Sequence, residues 1–258
     1  DGIRDIGVTG VQTCALPIYF IWRKFGNRFL CCYDIDPNQQ TSFARFYKIN
    51  SNTRSAEDVI SNPQVKTVYI ASNHASHTQY AVAALKAGKK VYVEKPVSHN
   101  VWEGRRIVET ARETNRICQT GTQVRSQPGV REAIKALHDG LIGKVDLAIG
   151  LCYKSRNSIG KAKGPLSIPA SVNFDLWTGP AEKLPISRQR LHYDWHWVWN
   201  TGNGDLGNQG IHQMDVARWG LNQAALAPRI FSIGGRIGYS DDGETANTHV
   251  SVFDYGAS

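Results

Sequence analysis

The sequence predicts an α/β protein built on a parallel sheet, and three neighbouring stretches carry that prediction. Val65–Ala71 is an apolar, β-branched run that reads as a buried strand. A polar turn follows, Ser72-Asn73-His74-Ala75-Ser76-His77, and then a stretch of helical composition from Thr78 to Gly88. Ser76 or Thr78 would cap that helix and Gly88 would stop it. The third stretch is a second apolar strand, Lys90-Val91-Tyr92-Val93, closed by Glu94-Lys95-Pro96. Strand, helix and strand make one βαβ unit, whose strands must run parallel with both carboxyl ends on one edge. Ser72, Asn73 and His77 are therefore expected near Lys95, with the free N–H groups of a helix N-terminus in the same crevice.

Open α/β sheets bind ligands outside the carboxyl ends of their strands, which is where Glu94 and Lys95 fall. Pro96 fixes φ and ends the strand, so the lysine is held at the rim. A lysine there can donate a hydrogen bond to a bound substrate or shuttle its proton. The alternative is an ordinary solvated lysine. Upstream, Phe29–Tyr33 reads as another strand, ending in Asp34-Ile35-Asp36-Pro37. An acidic residue at the end of a second strand bonds the ribose hydroxyls of a dinucleotide and repels a 2′-phosphate. Asp34 is the candidate, and no arginine follows it at once, so NAD is favoured over NADP. The alternative is a turn aspartate before the proline.

The second half carries an amphipathic helix over Gly129–Gly140, and Lys144–Tyr153 is expected to be a strand. Residues 154–173 read as a long loop over a site. An aromatic cluster follows: Trp177, His192, Tyr193, Trp195, His196, Trp197, Trp199 and Trp219. Aromatic faces stack on the C–H faces of sugars, while His and Tyr edges bond hydroxyls. Tyr193, Trp195 and His196 are placed at the site, Trp177 and Trp219 in the core. His192 and His196 have the i, i+4 spacing of a zinc pair, but Pro185 and the tryptophans favour irregular structure there, and no metal is expected. Asn208–Trp219 has helical spacing, with Asn208 and His212 on one face and Asp215 a turn further on.

Asp34-Ile35-Asp36-Pro37, the Ser72–His77 turn, Glu94-Lys95-Pro96 and the stretch from Gly204 through His212 to Asp215, in that order, resemble the Gfo/Idh/MocA oxidoreductases. The resemblance runs from about Phe20 to the end of the chain. It implies a Rossmann domain over residues 19–122, then an α+β domain over 123–258. The second domain's open, mostly antiparallel sheet would carry substrate on one face and often an oligomer interface on the other. NAD is the implied cofactor, NADP less so, with Asp34, Ser72, Asn73, His74, His77, Glu94, Lys95, Pro96 and Gln123 at the cofactor. Tyr153, Arg156, Tyr193, Trp195 and His196 are the implied substrate residues. Lys95, His212 and Asn208 are the implied catalytic set, with His212 the general base and Lys95 its partner. Asn208 stands where the family has an acid. It can orient a hydroxyl but cannot hold the charge that would raise a histidine pKa.

The implied reaction moves a hydride from a sugar or polyol to the nicotinamide. One alternative within the family is an NAD-dependent glycosidase acting by oxidation and elimination; another is a non-catalytic fragment or binding protein. The chain departs from the family at its start. Ile6-Gly7-Val8-Thr9-Gly10 offers two glycines where G-x-G-x-x-G should stand, the next is Gly26, and Pro17 interrupts the following helix. Residues 1–18 also resemble translated sequencing-adapter sequence. They are read as a foreign segment that replaces the first strand and phosphate loop, leaving Tyr19–Phe25 as half of the first helix. The competing reading is a degenerate nucleotide loop. His249–Ser258 alternates like a strand and then stops, so the chain is read as a fragment truncated at both ends.

Composition supports a two-domain protein: 258 residues, 41% hydrophobic, with room for a sizeable core. No apolar run approaches the ~20 residues of a membrane span. The net charge of +8 is scattered along the chain and comes with no nucleic-acid-reading motif. Cys14, Cys31, Cys32, Cys118 and Cys152 form no CxxC pair, and adjacent Cys31 and Cys32 must face opposite sides of their strand. Reduced thiols in a cytoplasmic setting are expected, with export open if a signal peptide has been lost. The intact protein is expected to be a homo-oligomer, a dimer or tetramer.

Overall fold

The computed structural model describes residues 6–9, 29–170, 172–179, 181–188 and 190–256. Pro17, Cys14, Gly10, Gly26 and the half-helix expected over Tyr19–Phe25 lie outside them. The chain divides into two compact units. One holds Asp1–Gly121 and Ser171–Pro180; the other holds Thr122–Ala170 and Ala181–Ser258.

The first unit is a six-stranded sheet of β1 (Ile6–Thr9), β2 (Phe29–Tyr33), β3 (Ser51–Asn52), β4 (Thr67–Ile70), β5 (Lys90–Val93) and β6 (Cys118–Thr120). Its order is β3-β2-β1-β4-β5-β6 and every pairing is parallel. That is the order of dinucleotide folds, whose switch point lies between β1 and β4. The first strand was expected to be missing or replaced. The backbone of Ile6–Thr9 takes the place between β2 and β4, pairing Val8 with Cys32 on one side and Tyr69 on the other.

Among the described residues, helices α1 (Pro37–Tyr47), α2 (Ala56–Ser61), α3 (His74–Lys86) and α4 (Val101–Glu113) flank the sheet. Their caps follow from the sequence. Asp36 accepts from the amide of Asn38, Ser55 from Asp58 and Asn100 from Glu103. Two apolar layers result, one per face. Cys31, Val68, Ile70, Val91 and Val93 pack with Val59, Leu85 and Ile107. Cys32, Tyr69 and Tyr92 pack with Phe43, Ala44 and Tyr47. Cys31 and Cys32 thus do face opposite sides, and a fully buried side chain such as Leu85 contributes about 1.5–3 kcal/mol by leaving water.

Helix α3 begins earlier than its cap residues suggested. Asn73 is the N-cap, and Ser76 lies inside the first turn with its hydroxyl donated back to the Asn73 carbonyl at 2.9 Å. A serine at the third helical position can bond the turn before it, so the serine and the true cap look alike in sequence. Gly88 ends the segment with φ at +77°, a conformation that strains any side chain.

In the second unit α5 (Pro128–His138) starts on a proline, whose missing N–H costs nothing at that position. A π-helical turn at Leu206–Gly210 runs into α6 (Ile211–Gly220). Strands β7 (Arg229–Gly235) and β8 (Thr248–Asp254) pair antiparallel, with Ser232 opposite Ser251. Lys144–Tyr153 is a correction: among the described residues it pairs with no strand. Leu147, Ile149 and Leu151 are 74%, 70% and 57% exposed. Alternation sets which side chains share a face, but a strand also needs a partner for its N–H and C=O groups. The tryptophans are a second correction. Among the described tryptophans Trp197, 1% exposed, is the buried one, whereas Trp177 stacks on Phe174 and Trp219 lies under the Arg125 guanidinium, both half-buried.

Candidate active site

Parallel pairing of β4 with β5 brings their carboxyl ends to one rim. There Glu94 extends the ladder, its N–H donated to the Ile70 carbonyl at 2.9 Å. Its carboxylate accepts from the Tyr69 hydroxyl at 2.7 Å, and Tyr69 stacks on Tyr92 at 5.3 Å between ring centroids. Gly121 closes the other side. A Cβ there would fall 2.5 Å from Glu94 Oε2 and 3.2 Å from Glu94 Cα, so a side chain at this position would push the carboxylate aside. Burial pushes the Glu94 carboxyl above its ordinary pKa, and the Tyr69 hydrogen bond opposes that. Lys95 follows, half-buried, and the Lys95–Pro96 peptide is cis.

Ser72 and Asn73 hold the rim of β4. Ser72 shares a 2.6 Å hydroxyl contact with Ser76, and Asn73 donates its amide to the Leu176 carbonyl. His77 was expected at the cofactor. It is instead 2% exposed, with Nδ1 2.7 Å from the Pro96 carbonyl and Nε2 2.9 Å from the Ser72 carbonyl. Both ring nitrogens thus face backbone carbonyls. Asp34 stands at the end of β2, half-buried, and its Oδ1 accepts the Asp36 amide at 2.8 Å. That contact is the turn role the sequence offered for Asp34. His74 opens α3. Gln123, in the other unit, opens a 3₁₀ turn through Ser126.

The second unit assembles a polar network around the aromatic cluster. Arg156 makes two contacts to Asp205, at 3.1 and 2.9 Å, and a third to the Tyr193 hydroxyl at 3.1 Å. Asn208 donates its amide to the same Asp205 at 3.2 Å. A carboxylate thus lies beside Asn208. Sequence reasoning missed Asp205, although it stands three residues before Asn208 in the quoted motif. His196, 2% exposed, packs edge-on to Tyr193 and Trp195, and its Nδ1 faces the Tyr193 carbonyl at 2.6 Å. Burial lowers its proton affinity.

Ser155, Arg156, Asn157, Arg190, Tyr193 and Trp197 line a 240 Å³ cleft. Arg190 and Tyr193 also line a 400 Å³ cleft with Leu166, Pro169 and Ile186, within the ~300–1,000 Å³ of small-molecule sites. Arg190 too was missed; a lone arginine beside a buried aspartate carries no signal in sequence. Tyr153 is 89% exposed and lies in neither cleft. His212, 8% exposed, sits in the first turn of α6. Asp215, one turn on, is held by Arg125 at 2.7 and 2.8 Å.

Residues 7–122 match the Gfo/Idh/MocA model described as "Oxidoreductase family, NAD-binding Rossmann fold", and residues 128–246 match its "Oxidoreductase family, C-terminal alpha/beta domain". The chain belongs to the Gfo/Idh/MocA oxidoreductase family. Among curated Gfo/Idh/MocA relatives, a levoglucosan dehydrogenase of Pseudarthrobacter phenanthrenivorans is 26% identical over 77% of this chain and 44% of its own length. A 1,5-anhydro-D-fructose reductase of Ensifer adhaerens is 26% identical over 54% of this chain and 42% of its own. The chain thus spans less than half the length of these relatives. A WlbA dehydrogenase from Bordetella pertussis, solved with NADH and UDP-GlcNAcA, shares the fold at TM-score 0.70 and 16% identity over 100% of this chain and 68% of that one. Among the described residues no helix is long and apolar enough to cross a membrane.

Proposed function

We propose that the chain belongs to an NAD-dependent dehydrogenase that oxidises a sugar or polyol hydroxyl. The observation that supports it most is the Glu94-Lys95-Pro96 rim, beside the switch point of a sheet in the family's NAD-binding domain. The donor set suits a dinucleotide: a carboxylate at the end of β2, hydroxyls and an amide at the N-terminus of α3, and Glu94 with Lys95 after β5. Asp34 would take the ribose hydroxyls, with Ser72, Asn73, His74, Glu94, Pro96 and Gln123 around the rest of the cofactor. The absence of an arginine directly after Asp34 supports NAD over NADP. When bound, NAD supplies the hydride acceptor.

The chain's own groups handle the proton. His212 takes it from the hydroxyl, Lys95 donates to the same oxygen and Asn208 orients it, its amide already set by Asp205. The pairing of Lys95 with His212 is carried by the sequence motifs; the fold contributes the surroundings of each separately. Arg156, Tyr193, Trp195 and His196 would present edges and faces to the sugar, with Tyr153 at the periphery. Relatives named for levoglucosan, 1,5-anhydro-D-fructose and scyllo-inositol support this substrate class. The functional division is placed at residues 19–122 for cofactor and 123–258 for substrate. The assembly is a homo-oligomer, and its setting is cytoplasmic, in keeping with the free thiols of Cys31, Cys32, Cys118 and Cys152.

The test is NADH formation from levoglucosan, myo-inositol, scyllo-inositol and D-xylose, alongside NAD titration. Lys95→Ala is expected to lose at least about 100-fold in turnover, the range of general acid–base catalysis, while still binding NAD. Unchanged turnover would remove Lys95 from the reaction.

A further inference from the structure

We propose that His77 is a positioning residue for Lys95, acting through a hydrogen bond from its Nδ1–H to the Pro96 carbonyl. The proposal rests on the reading of Lys95 as the proton-handling lysine. Lys95 has one chain neighbour on each side, and both are tied. Glu94 is fixed to β4 through its backbone N–H on Ile70 and its carboxylate on Tyr69. Pro96 has no N–H, so its carbonyl is the only backbone polar group by which it can be held. That carbonyl lies 2.7 Å from His77 Nδ1, inside α3. The other nitrogen, Nε2, lies 2.9 Å from the carbonyl of Ser72, at the rim of β4. One ring therefore spans the two rims that carry Ser72 and Lys95.

The surroundings make this tie strong. The ring is 2% exposed, so water has little access to its nitrogens, and a carbonyl that loses its donor there is costly to leave alone. Both partners are acceptors, and a neutral imidazole has a single N–H. The shorter contact, to Pro96, is where that hydrogen is assigned. Burial lowers the ring's proton affinity, while the two carbonyls and the Glu103 carboxylate raise it. With the hydrogen so assigned, Nδ1 carries a proton in either charge state and the tie to Pro96 holds.

Two measurements test this. Nitrogen-15 shifts of the His77 ring should report a protonated Nδ1; a bare Nδ1 with the proton on Nε2 overturns the proposal without reference to turnover. The second compares His77→Asn, whose amide sits where Nδ1 was, with His77→Gln, whose amide sits near Nε2. Each variant is read against the parent chain on NAD and the same panel of sugars and polyols. His77→Asn should keep kcat within about threefold, whereas His77→Gln should lose at least about tenfold, with KM for NAD unchanged within about twofold. Equal losses, or the reverse order, overturn it. In a Lys95→Ala background His77→Gln should cost nothing more; a further tenfold loss would place His77 in another role. If Lys95→Ala alone leaves turnover intact, the reading of Lys95 falls, and the nitrogen-15 result still decides whether the tie exists.

Discussion

The two units are held together by different forces. In the parallel sheet, all four residues of β4 are buried, because helices cover both faces and every side chain meets an apolar layer. In the antiparallel pair, residues Arg229 to Gly234 of β7 are all exposed, Ile230, Phe231 and Ile233 each by more than 60%. Both strands nevertheless carry large apolar side chains. The second unit leans on ion pairs: Arg236–Asp241 at 2.6 Å, Arg156–Asp205 at 2.9 Å and Arg125–Asp215 at 2.7 Å. The first unit's ion pairs among the described residues, Arg54–Asp58 at 3.9 Å and Arg106–Glu109, are surface contacts, of a kind worth little. The lesson is that apolar sequence becomes stability only where a second layer meets it.

The sharpest way to break this contrast is Asp241→Asn. The Asp241 side chain has no exposed surface, accepts both nitrogens of an Arg236 fork, and also receives Ser158 and the amides of Ile159 and Gly243. Removing one partner of such a pair costs about 3–5 kcal/mol. Urea unfolding followed through Trp197, which lies 4.6 Å under Arg236, should show that loss in the second unit. The Arg236 fork first, and then the other donors, hold the Asp241 carboxyl well below the usual carboxylate range. Its contribution is therefore present above the ordinary value of 3.8 and fades as pH falls below it. The asparagine variant should lack that fade.

A truncation pair comes next. Leu85→Ala, in the layered core, should cost about 2–5 kcal/mol. Val250→Ala, 63% exposed on β8, should stay within about 0.5 kcal/mol by the same urea titration. Equal losses would mean that exposure does not separate the two sheets. The smallest effect is expected from Tyr69→Phe, about 0.5–1.5 kcal/mol for one hydrogen bond to Glu94. Glu94 has the opposite linkage to Asp241. Burial raises its pKa, so its share of stability is complete below its ordinary value of 4.5 and is lost as pH rises through the raised one. Tyr69→Phe should move that loss to higher pH, and Glu94→Gln should abolish it, both visible in melting temperature against pH.

Much of the first unit was legible in its sequence. The βαβ reading of Val65–Val93, the shared rim of Ser72 and Lys95 and the opposed faces of Cys31 and Cys32 follow from strand period and chain direction. The site in the second unit was legible only as a list of aromatic and basic residues. Arg156 reaches Tyr193 and Asp205 across 37 and 49 residues of chain. Asp205 on Asn208, and the burial of Trp197 in place of Trp177, depend on irregular backbone that no period describes. Lys144–Tyr153 failed as a strand for a related reason, since its pattern names a face but no partner.

The sequence by itself determined the parallel βαβ unit, the glutamate-lysine-proline rim and the family, because each depends on local period and on a short motif. The tertiary structure decided what those residues touch. It set the buried His77 ring between the carbonyls of Ser72 and Pro96, and it set the Glu94 carboxylate between a tyrosine hydroxyl and a glycine whose Cβ would crowd it. Hydrogen-bond partners and buried charge depend on which backbone arrives from elsewhere in the chain, and no local pattern encodes that arrival.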